Sequence, residues 1–175
     1  MAKKKRASKI ERKAKNVSPI PKGFHALTPY LAVRGAAQAI DWYKRAFGAK
    51  EATRQLGPGG MVLNAELTIG DSRFMISDIL PGSGAKSPLD LGGSPVTLHV
   101  YTKDVDAFWA RAVGAGAKVE MELANQFWGD RYGQLVDPFG HAWSLASRKE
   151  NLTPKQHAER AAGWMAQIEK SGGMM

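Results

Sequence analysis

The chain has 175 residues, a formal net charge of +9 and 43% hydrophobic residues. This length and apolar content suit one domain, or two small halves that share a core. The sequence contains no cysteine, which excludes disulfides, thiolate zinc sites, iron–sulfur clusters and a cysteine nucleophile.

The positive charge is concentrated in an N-terminal tail. Residues 1–22 carry nine Lys or Arg and one Glu, a net charge of +8, whereas the other 153 residues carry only +1. The domain itself is therefore nearly neutral, and its charge does not predict a basic surface that binds nucleic acid. Two interpretations of the tail stay open: a disordered, solvated extension, or a weak electrostatic tether to nucleic acid or an anionic surface.

No apolar segment follows the basic run, so it does not have the pattern of a secretory signal. The sequence also has no stretch of about 18 apolar residues to span a bilayer. We therefore expect a cytoplasmic protein with no membrane span.

The folded domain is predicted over residues 23–150, after a linker that contains Pro19 and Pro21. Its first module, at about 25–80, has the pattern strand, helix and three strands. Alternating apolar residues predict a strand over 24–33, although Pro29 favours an edge position or a bulge there. The other predicted elements of this module are a helix over 35–47 that ends at Gly48 and strands over 51–56, 61–69 and 73–79.

The same order of elements begins again after a Gly/Pro/Ser-rich segment. The second module, at about 95–148, is predicted to contain a strand over 96–102, a helix over 105–117 with Asp104 as its N-cap, and strands over 118–123, 131–137 and 141–147. Lys50 matches Lys118 at an offset of 68, and Phe74 matches Trp143 at 69. Offsets that agree in this way indicate a duplicated βαβββ unit.

A C-terminal helix is predicted over residues 151–170, with Thr153 as N-cap and Pro154 at its first position. It carries an apolar stripe that needs a partner surface, on the domain or on a second subunit. The stripe consists of Ala158, Ala161, Ala162, Met165 and Ile168.

Three segments carry a resemblance to a known family: AIDWYKRAFGAK, NAELTIGDSRFMISD and FWGDRYGQLVDPFGHAWSLA. Together they resemble the vicinal oxygen chelate (VOC) superfamily, its glyoxalase/bleomycin resistance/dioxygenase group, and the PhnB-like branch of that group. The resemblance covers about residues 25–150. It implies an α+β fold in which two tandem βαβββ modules form a curved mixed sheet around a cleft, and it implies pairing into a homodimer.

Enzymes of this family commonly hold a divalent metal with His, Gln or Glu at four strand positions. The resemblance places those positions on Thr28, Met75, Thr97 and Ser144. None of these four is a normal ligand for a hard divalent ion. We therefore expect no metal at the usual site and no other cofactor, with a displaced divalent metal as the alternative.

The expected function is binding of a small organic ligand in the cleft between the modules. Strand alternation places His99 on one face with Thr97 and Tyr101, and Glu66 on one face with Asn64. His99 and Glu66 are the candidate catalytic residues, and three roles stay open for them. They either form hydrogen bonds that satisfy buried polar groups or contact the ligand, or carry out acid–base chemistry, or hold a displaced metal. The alternative function is therefore a lyase, isomerase or dioxygenase type of enzyme.

The FWGDRYG segment is the densest group of aromatic and charged residues. Its aromatic rings offer flat faces, and Arg131 either binds an anionic group of the ligand or joins an internal network with Asp130. His141 is predicted to be an exposed turn residue. The full set of expected ligand contacts is Thr28, Tyr30, Asn64, Met75, Thr97, Tyr101, Phe127, Trp128, Arg131 and Ser144.

Deletion of residues 1–20 distinguishes the two interpretations of the tail. A tether predicts nucleic-acid or anionic-vesicle binding that weakens steeply with salt and disappears in the deletion variant. A solvated extension predicts no binding by either form at low salt, as measured by fluorescence anisotropy or vesicle sedimentation.

Overall fold

The computed structural model describes residues 17–171. Of the predicted basic tail, residues 1–16 lie outside the described part. The first module contains β1 (Tyr30–Val33), α1 (Ala36–Phe47), β2 (Lys50–Leu56), β3 (Val62–Ile69) and β4 (Ser72–Asp78), with a single 3-10 turn at Pro58–Gly60. A short helix, α2 (Pro88–Leu91), lies in the connection. The second module contains β5 (Thr97–Tyr101), α3 (Val105–Gly114), β6 (Lys118–Asn125), β7 (Asp130–Val136) and β8 (Ala142–Arg148), and α4 (Pro154–Lys170) follows it.

Each module forms a four-stranded mixed sheet. The strand orders are β1-β4-β3-β2 and β5-β8-β7-β6. Tyr30 pairs with Met75 in the first parallel pair of strands, and His99 pairs with Ser144 in the second. Each residue of the first pair lies 69 positions before its counterpart in the second. The predicted α+β fold of two tandem βαβββ modules is confirmed.

The first strand is shorter than the predicted 24–33, since it begins only at Tyr30. Pro29 has no backbone N–H, so residues before it cannot extend a regular ladder. Its carbonyl still accepts a hydrogen bond from the Met75 amide at 2.9 Å. The hydroxyl of Thr28 instead donates to the His25 carbonyl at 2.9 Å, which holds a local turn ahead of the strand.

The helix ends agree with the predicted capping residues. Gly48 adopts a left-handed conformation with φ 63° after α1, a backbone geometry that glycine adopts without strain. The Asp104 carboxylate accepts from the Ala107 amide at 3.0 Å at the start of α3. Thr153 and Gln156 form a capping box at the start of α4.

Both modules share one hydrophobic core. The apolar face of α1 is buried, and its Phe47 ring stacks on Phe108 of α3 with the ring centroids 5.2 Å apart. Trp143 of β8 packs against Phe47 at 4.7 Å and against Phe74 of β4 at 6.4 Å. The two helices therefore lie between the inner faces of the sheets, and neither module has a separate core.

One buried carboxylate links the modules through hydrogen bonds. The Asp137 side chain is fully buried in the turn between β7 and β8. Its Oδ2 accepts from the Tyr43 hydroxyl of α1 at 2.7 Å and from the Trp143 indole N–H at 2.8 Å. Its Oδ1 accepts from the Phe139 and His141 amides, both at 2.9 Å.

Burial alone would raise the pKa of Asp137, because it penalises the charged form. The hydrogen bond and charge of His141, followed by the Tyr43 and Trp143 hydrogen bonds, outweigh that effect and lower the pKa. The carboxylate is therefore ionised and strongly hydrogen-bonded at neutral pH.

The prediction that His141 is exposed is wrong. Its ring is buried, with Nδ1 3.4 Å from both the Asp137 carboxylate and the Tyr43 hydroxyl. A hairpin turn usually faces solvent, but this one folds inward, where Asp137 accepts hydrogen bonds from α1 and β8 as well as from two amides of the turn itself.

Within residues 17–171, no helix is long and apolar enough to cross a bilayer.

Replacing Tyr43 with Phe tests the link between the modules. The variant removes one hydrogen bond from a buried carboxylate, so we expect the free energy of unfolding to fall by about 1–3 kcal/mol. Tyr30→Phe is the matched control because that side chain is 53% exposed, and it should change stability little. Urea unfolding followed by circular dichroism measures both; equal, small effects would contradict a structural role for the Tyr43 hydroxyl.

Candidate functional site

The outer face of the first sheet carries several of the predicted site residues. Tyr30, Met75 and Glu66 lie side by side across β1, β4 and β3. The Glu66 carboxylate accepts a hydrogen bond from Arg73 at 2.9 Å, and the Arg73 guanidinium lies 4.7 Å above the ring centre of Phe24. Glu66 is therefore engaged within its own sheet.

The outer face of the second sheet carries His99. Its Nδ1 lies 2.7 Å from the hydroxyl oxygen of Ser144, which is buried on β8. The imidazole lies nearly parallel to the Tyr132 ring at 6.0 Å, and the Tyr101 ring meets it edge-on at 4.5 Å. These contacts fix the orientation of the His99 ring, and Nε2 makes no hydrogen bond to the described residues.

A cavity of about 440 Å³ opens beside His99. We call it the aromatic pocket. Its lining comes from the second module, from the segment that leads into α4 and from α4 itself, and from no residue of the first module. The lining residues are His99, Tyr101, Phe127, Trp128, Asp130, Tyr132, Arg148, Glu150, Leu152 and His157.

The turn between β6 and β7 supplies one aromatic wall. The rings of Phe127 and Trp128 meet at right angles at 4.9 Å, and Trp128 meets Tyr132 edge-on at 5.4 Å. Phe127 also contacts two residues of α4, His157 at 6.1 Å and Trp164 at 5.0 Å. The wall is therefore held from the strand on one side and from the C-terminal helix on the other.

Gly129 brings the C-terminal segment onto the pocket. Its carbonyl accepts hydrogen bonds from the Lys149 and Glu150 amides at 2.9 and 3.0 Å. Its φ is 93°, and a Cβ there would lie 3.0 Å from the Glu150 carbonyl oxygen. Glycine is needed at this position both for the backbone conformation and for the close approach. Arg160 of α4 then pairs with the Glu150 carboxylate at 2.7 Å.

Asp130 is the buried charged residue of the pocket, with 3% of its surface exposed. The Tyr101 hydroxyl donates to its Oδ2 at 2.9 Å. That hydrogen bond is the largest reason why the pKa of Tyr101 is raised, ahead of burial and the charge of Asp130. Oδ1 is buried and has no hydrogen-bond partner within residues 17–171, although the Nε of Arg148 lies 3.5 Å away.

Burial lowers the pKa of His99, and the negative charge of Asp130 opposes that shift. The shift places the imidazole further into its neutral form at neutral pH, since the ordinary histidine pKa is about 6.5. A neutral imidazole with a free Nε2 can donate or accept one hydrogen bond, depending on its tautomer.

The internal network predicted between Arg131 and Asp130 is absent from the structure, and Arg131 does not line the pocket. Its guanidinium makes hydrogen bonds of 2.6–2.9 Å to the Asp106 carboxylate at the start of α3. Strand alternation turns Arg131 toward that helix and away from Asp130 and Tyr132, which face the pocket. Arg131 is therefore not a partner of Asp130, and binding of an anionic group by Arg131 stays a prediction.

Of the other predicted site residues, the structure places some at the aromatic pocket and others on the first module. Tyr101, Phe127 and Trp128 line the pocket with His99, and Ser144 supports the His99 ring. Thr97 lies at the start of β5 outside the lining, whereas Thr28, Tyr30, Asn64, Glu66 and Met75 belong to the first module.

Sequence reasoning missed Asp130, Arg148, Glu150, Leu152 and His157 as pocket residues. Strand alternation points to Asp130 from Tyr132 and to Arg148 from Ser144, so these two residues follow a local pattern. The other three depend on how the C-terminal segment crosses the sheet, which no local pattern predicts.

A second cavity, of about 330 Å³, lies where the two modules meet, beside the edge strands β1 and β5. Its lining is mainly backbone and apolar side chains of these strands and of the connection between the modules. Tyr30 is the predicted ligand-contact residue found in it.

The residues at the family's metal positions do not fit a divalent ion. Thr28 uses its hydroxyl in the turn before β1, and Ser144 uses its hydroxyl on His99. Met75 offers only a soft thioether, and Thr97 a neutral hydroxyl. Across residues 17–171, no three His, Asp or Glu side chains lie together in a way that could hold a metal.

Comparison with known proteins agrees with the duplicated fold. The sequence profile of the Glyoxalase/Bleomycin resistance protein/Dioxygenase superfamily matches residues 23–145. The chain belongs to this superfamily.

Two proteins are similar to this chain in sequence, and a third is similar to it in fold. The uncharacterized protein Rv0887c of Mycobacterium tuberculosis is 46% identical over 143 residues, covering 79% of this chain and 84% of that protein. The solved structure of the Arabidopsis thaliana At5g48480 product is 37% identical, covers 70% of this chain and 98% of its own, and has a TM-score of 0.56. A PhnB protein from Bacillus cereus, 19% identical over 70% of this chain and 99% of its own, shares the fold with a TM-score of 0.56.

The pKa of His99 gives a direct test of the pocket's electrostatics. We expect the imidazole to titrate below about 6.5, and Asp130→Asn to lower the midpoint further because it removes the negative charge that favours the imidazolium. Two-dimensional NMR of the histidine ring nitrogens measures both values. Asp106→Asn, on the helix side of the sheet, is the control and should leave the midpoint unchanged; a wild-type midpoint above that of free histidine would contradict the arrangement.

Proposed function

We propose that this VOC protein, of the PhnB-like branch, binds a small organic ligand with a flat aromatic group in the aromatic pocket, without the family's usual divalent metal. The observation that carries the proposal is the convergence of Phe127, Trp128 and Tyr132 with His99 on one cavity. Ligand pockets are typically apolar and aromatic with a few fixed polar groups, and their volumes are roughly 300–1,000 Å³. The cavity of about 440 Å³ falls in that range.

The lining supports a site on the second module and not in a cleft between the modules. Two of its walls are fixed without any ligand: Tyr132 belongs to a central strand, and Trp128 packs against it. Such rigid aromatic walls lose little conformational entropy on binding. A binding or sequestering role of this kind requires no catalytic group.

We also infer that the protein pairs into a homodimer. No residue of α4 is buried, and Trp164 and Met165 on this helix are 40% and 43% exposed. A helix with an apolar stripe and few contacts is stabilised by a further packing surface. A cytoplasmic location remains a prediction of the sequence.

An enzyme is the second candidate, because His99 combines a lowered pKa with a free Nε2 in the pocket. Acid–base chemistry of a lyase, isomerase or dioxygenase type would use that nitrogen. The charge that acts on His99 is that of Asp130, whereas Glu66, its expected partner, is paired with Arg73. Loss of turnover with intact binding in His99→Gln would favour the enzyme; assays with added Mn, Ni, Zn or Fe would show whether a displaced metal takes part.

Trp128→Ala tests the binding proposal with naphthalenemethanol, a neutral aromatic alcohol. We expect saturable binding by the wild type and about tenfold weaker binding by the variant, because one flat wall of the pocket is lost. Isothermal titration calorimetry measures both. Val113→Ala, on the exposed side of α3, is the control and should bind like the wild type. Absence of saturable binding, or equal affinity of the wild type and Trp128→Ala, would refute this site.

A further inference from the structure

The carboxylate of Asp130 has fewer hydrogen bonds than its burial requires. An ionised carboxylate offers about four acceptor positions, and a buried one is normally satisfied by several donors. Asp130 receives a single hydrogen bond, from the Tyr101 hydroxyl to Oδ2 at 2.9 Å, and its buried Oδ1 receives none within residues 17–171. Asp137, the other deeply buried carboxylate described above, receives four.

Arg148 does not satisfy Oδ1. Its Nε lies 3.5 Å from that oxygen, beyond the usual range of a charge-assisted hydrogen bond. Its side chain is 62% exposed, so most of the guanidinium is solvated. Arg148 therefore partly neutralises the charge of Asp130 while leaving the oxygen short of a donor.

The groups around Asp130 favour a positive partner. Tyr101, Tyr132 and Trp128 line the same cavity, and the faces of such rings attract ammonium groups. Glu150 adds a second carboxylate to the lining, although Arg160 pairs with it. An anionic ligand would be repelled by the carboxylates of Asp130 and Glu150. A neutral ligand would not supply Oδ1 of Asp130 with a charge-assisted hydrogen bond.

We propose that the aromatic pocket selects ligands in which a protonated amine lies beside the flat aromatic group, with Asp130 as the counter-ion. This inference rests on the proposed binding function and specifies its ligand class. The ammonium donates to Oδ1 of Asp130 and takes the place of Arg148, whose exposed side chain swings into solvent. The aromatic part of the ligand lies against Trp128 and Tyr132.

Three probes with one ring system and different charges test the selection. They are naphthylmethylamine, naphthalenemethanol and naphthoate, which are positive, neutral and negative at neutral pH. Calorimetry with the full chain should show the amine binding about tenfold or more tighter than the alcohol, and naphthoate binding weakest, because a charge-assisted hydrogen bond forms only with the amine.

Two substitutions should move amine affinity in opposite directions. Asp130→Asn keeps the size of the side chain and removes its charge, so amine binding should fall to the level of the alcohol while alcohol binding stays unchanged. Arg148→Gln removes the competing cation, so amine binding should strengthen severalfold. Asp106→Asn, whose carboxylate pairs with Arg131 on the helix side, is the control and should alter none of the three affinities.

The outcomes separate this inference from the proposed function. If no probe shows saturable binding, the proposed function fails. If the alcohol binds and the amine binds no tighter, the pocket is an aromatic site in which water satisfies Asp130, and only the charge selection is overturned. If Asp130→Asn does not fold, as judged by its thermal transition, the three probes with the wild type and with Arg148→Gln still test the charge selection. Weaker amine binding by Arg148→Gln would refute the exchange of partners at Asp130.

Discussion

The hydrogen bonds to Asp137 are the constraint on which the rest of the molecule depends. The bond from Tyr43 joins a helix of the first module to the β7–β8 turn of the second, inside the one core that both copies of the βαβββ unit share. A buried carboxylate with four donors is strongly destabilised if a donor is lost, which makes the relative position of the modules specific. The aromatic cluster of Tyr43, Phe47 and Trp143 fills the space around this link.

The same strand connects this link to the pocket. β7 begins at Asp130, in the aromatic pocket, and ends one residue before Asp137. Tyr132 and Gln134 face outward between these points, and the Gln134 amide donates to the Tyr132 hydroxyl at 2.6 Å. One carboxylate, Asp137, is saturated with donors and links the modules, whereas the other, Asp130, is buried in the lining of the aromatic pocket and has fewer donors than it can accept. This contrast is the physical basis for assigning structure to Asp137 and recognition to Asp130.

The sequence predicted most of the fold because its patterns are local. The bounds of α1 and the caps at Gly48, Asp104 and Thr153 follow from neighbouring residues, and each agrees with the structure. The 69-residue repeat follows from matching the same local patterns in the two halves of the chain. The candidate site was predicted less well. His99 and Trp128 were identified from alternation and composition, but the partner of Arg131, the burial of His141 and the approach of the C-terminal segment depend on contacts between residues far apart in the chain.

We propose that ligand recognition belongs to the outer face of the second module. A titration of the isotope-labelled protein with naphthalenemethanol, followed by the backbone amide and Trp indole signals in two-dimensional NMR, tests this most directly. We expect the largest chemical-shift changes at His99, Trp128 and Tyr132. Changes concentrated instead at Tyr30, Glu66 and Met75 on the first sheet would contradict it.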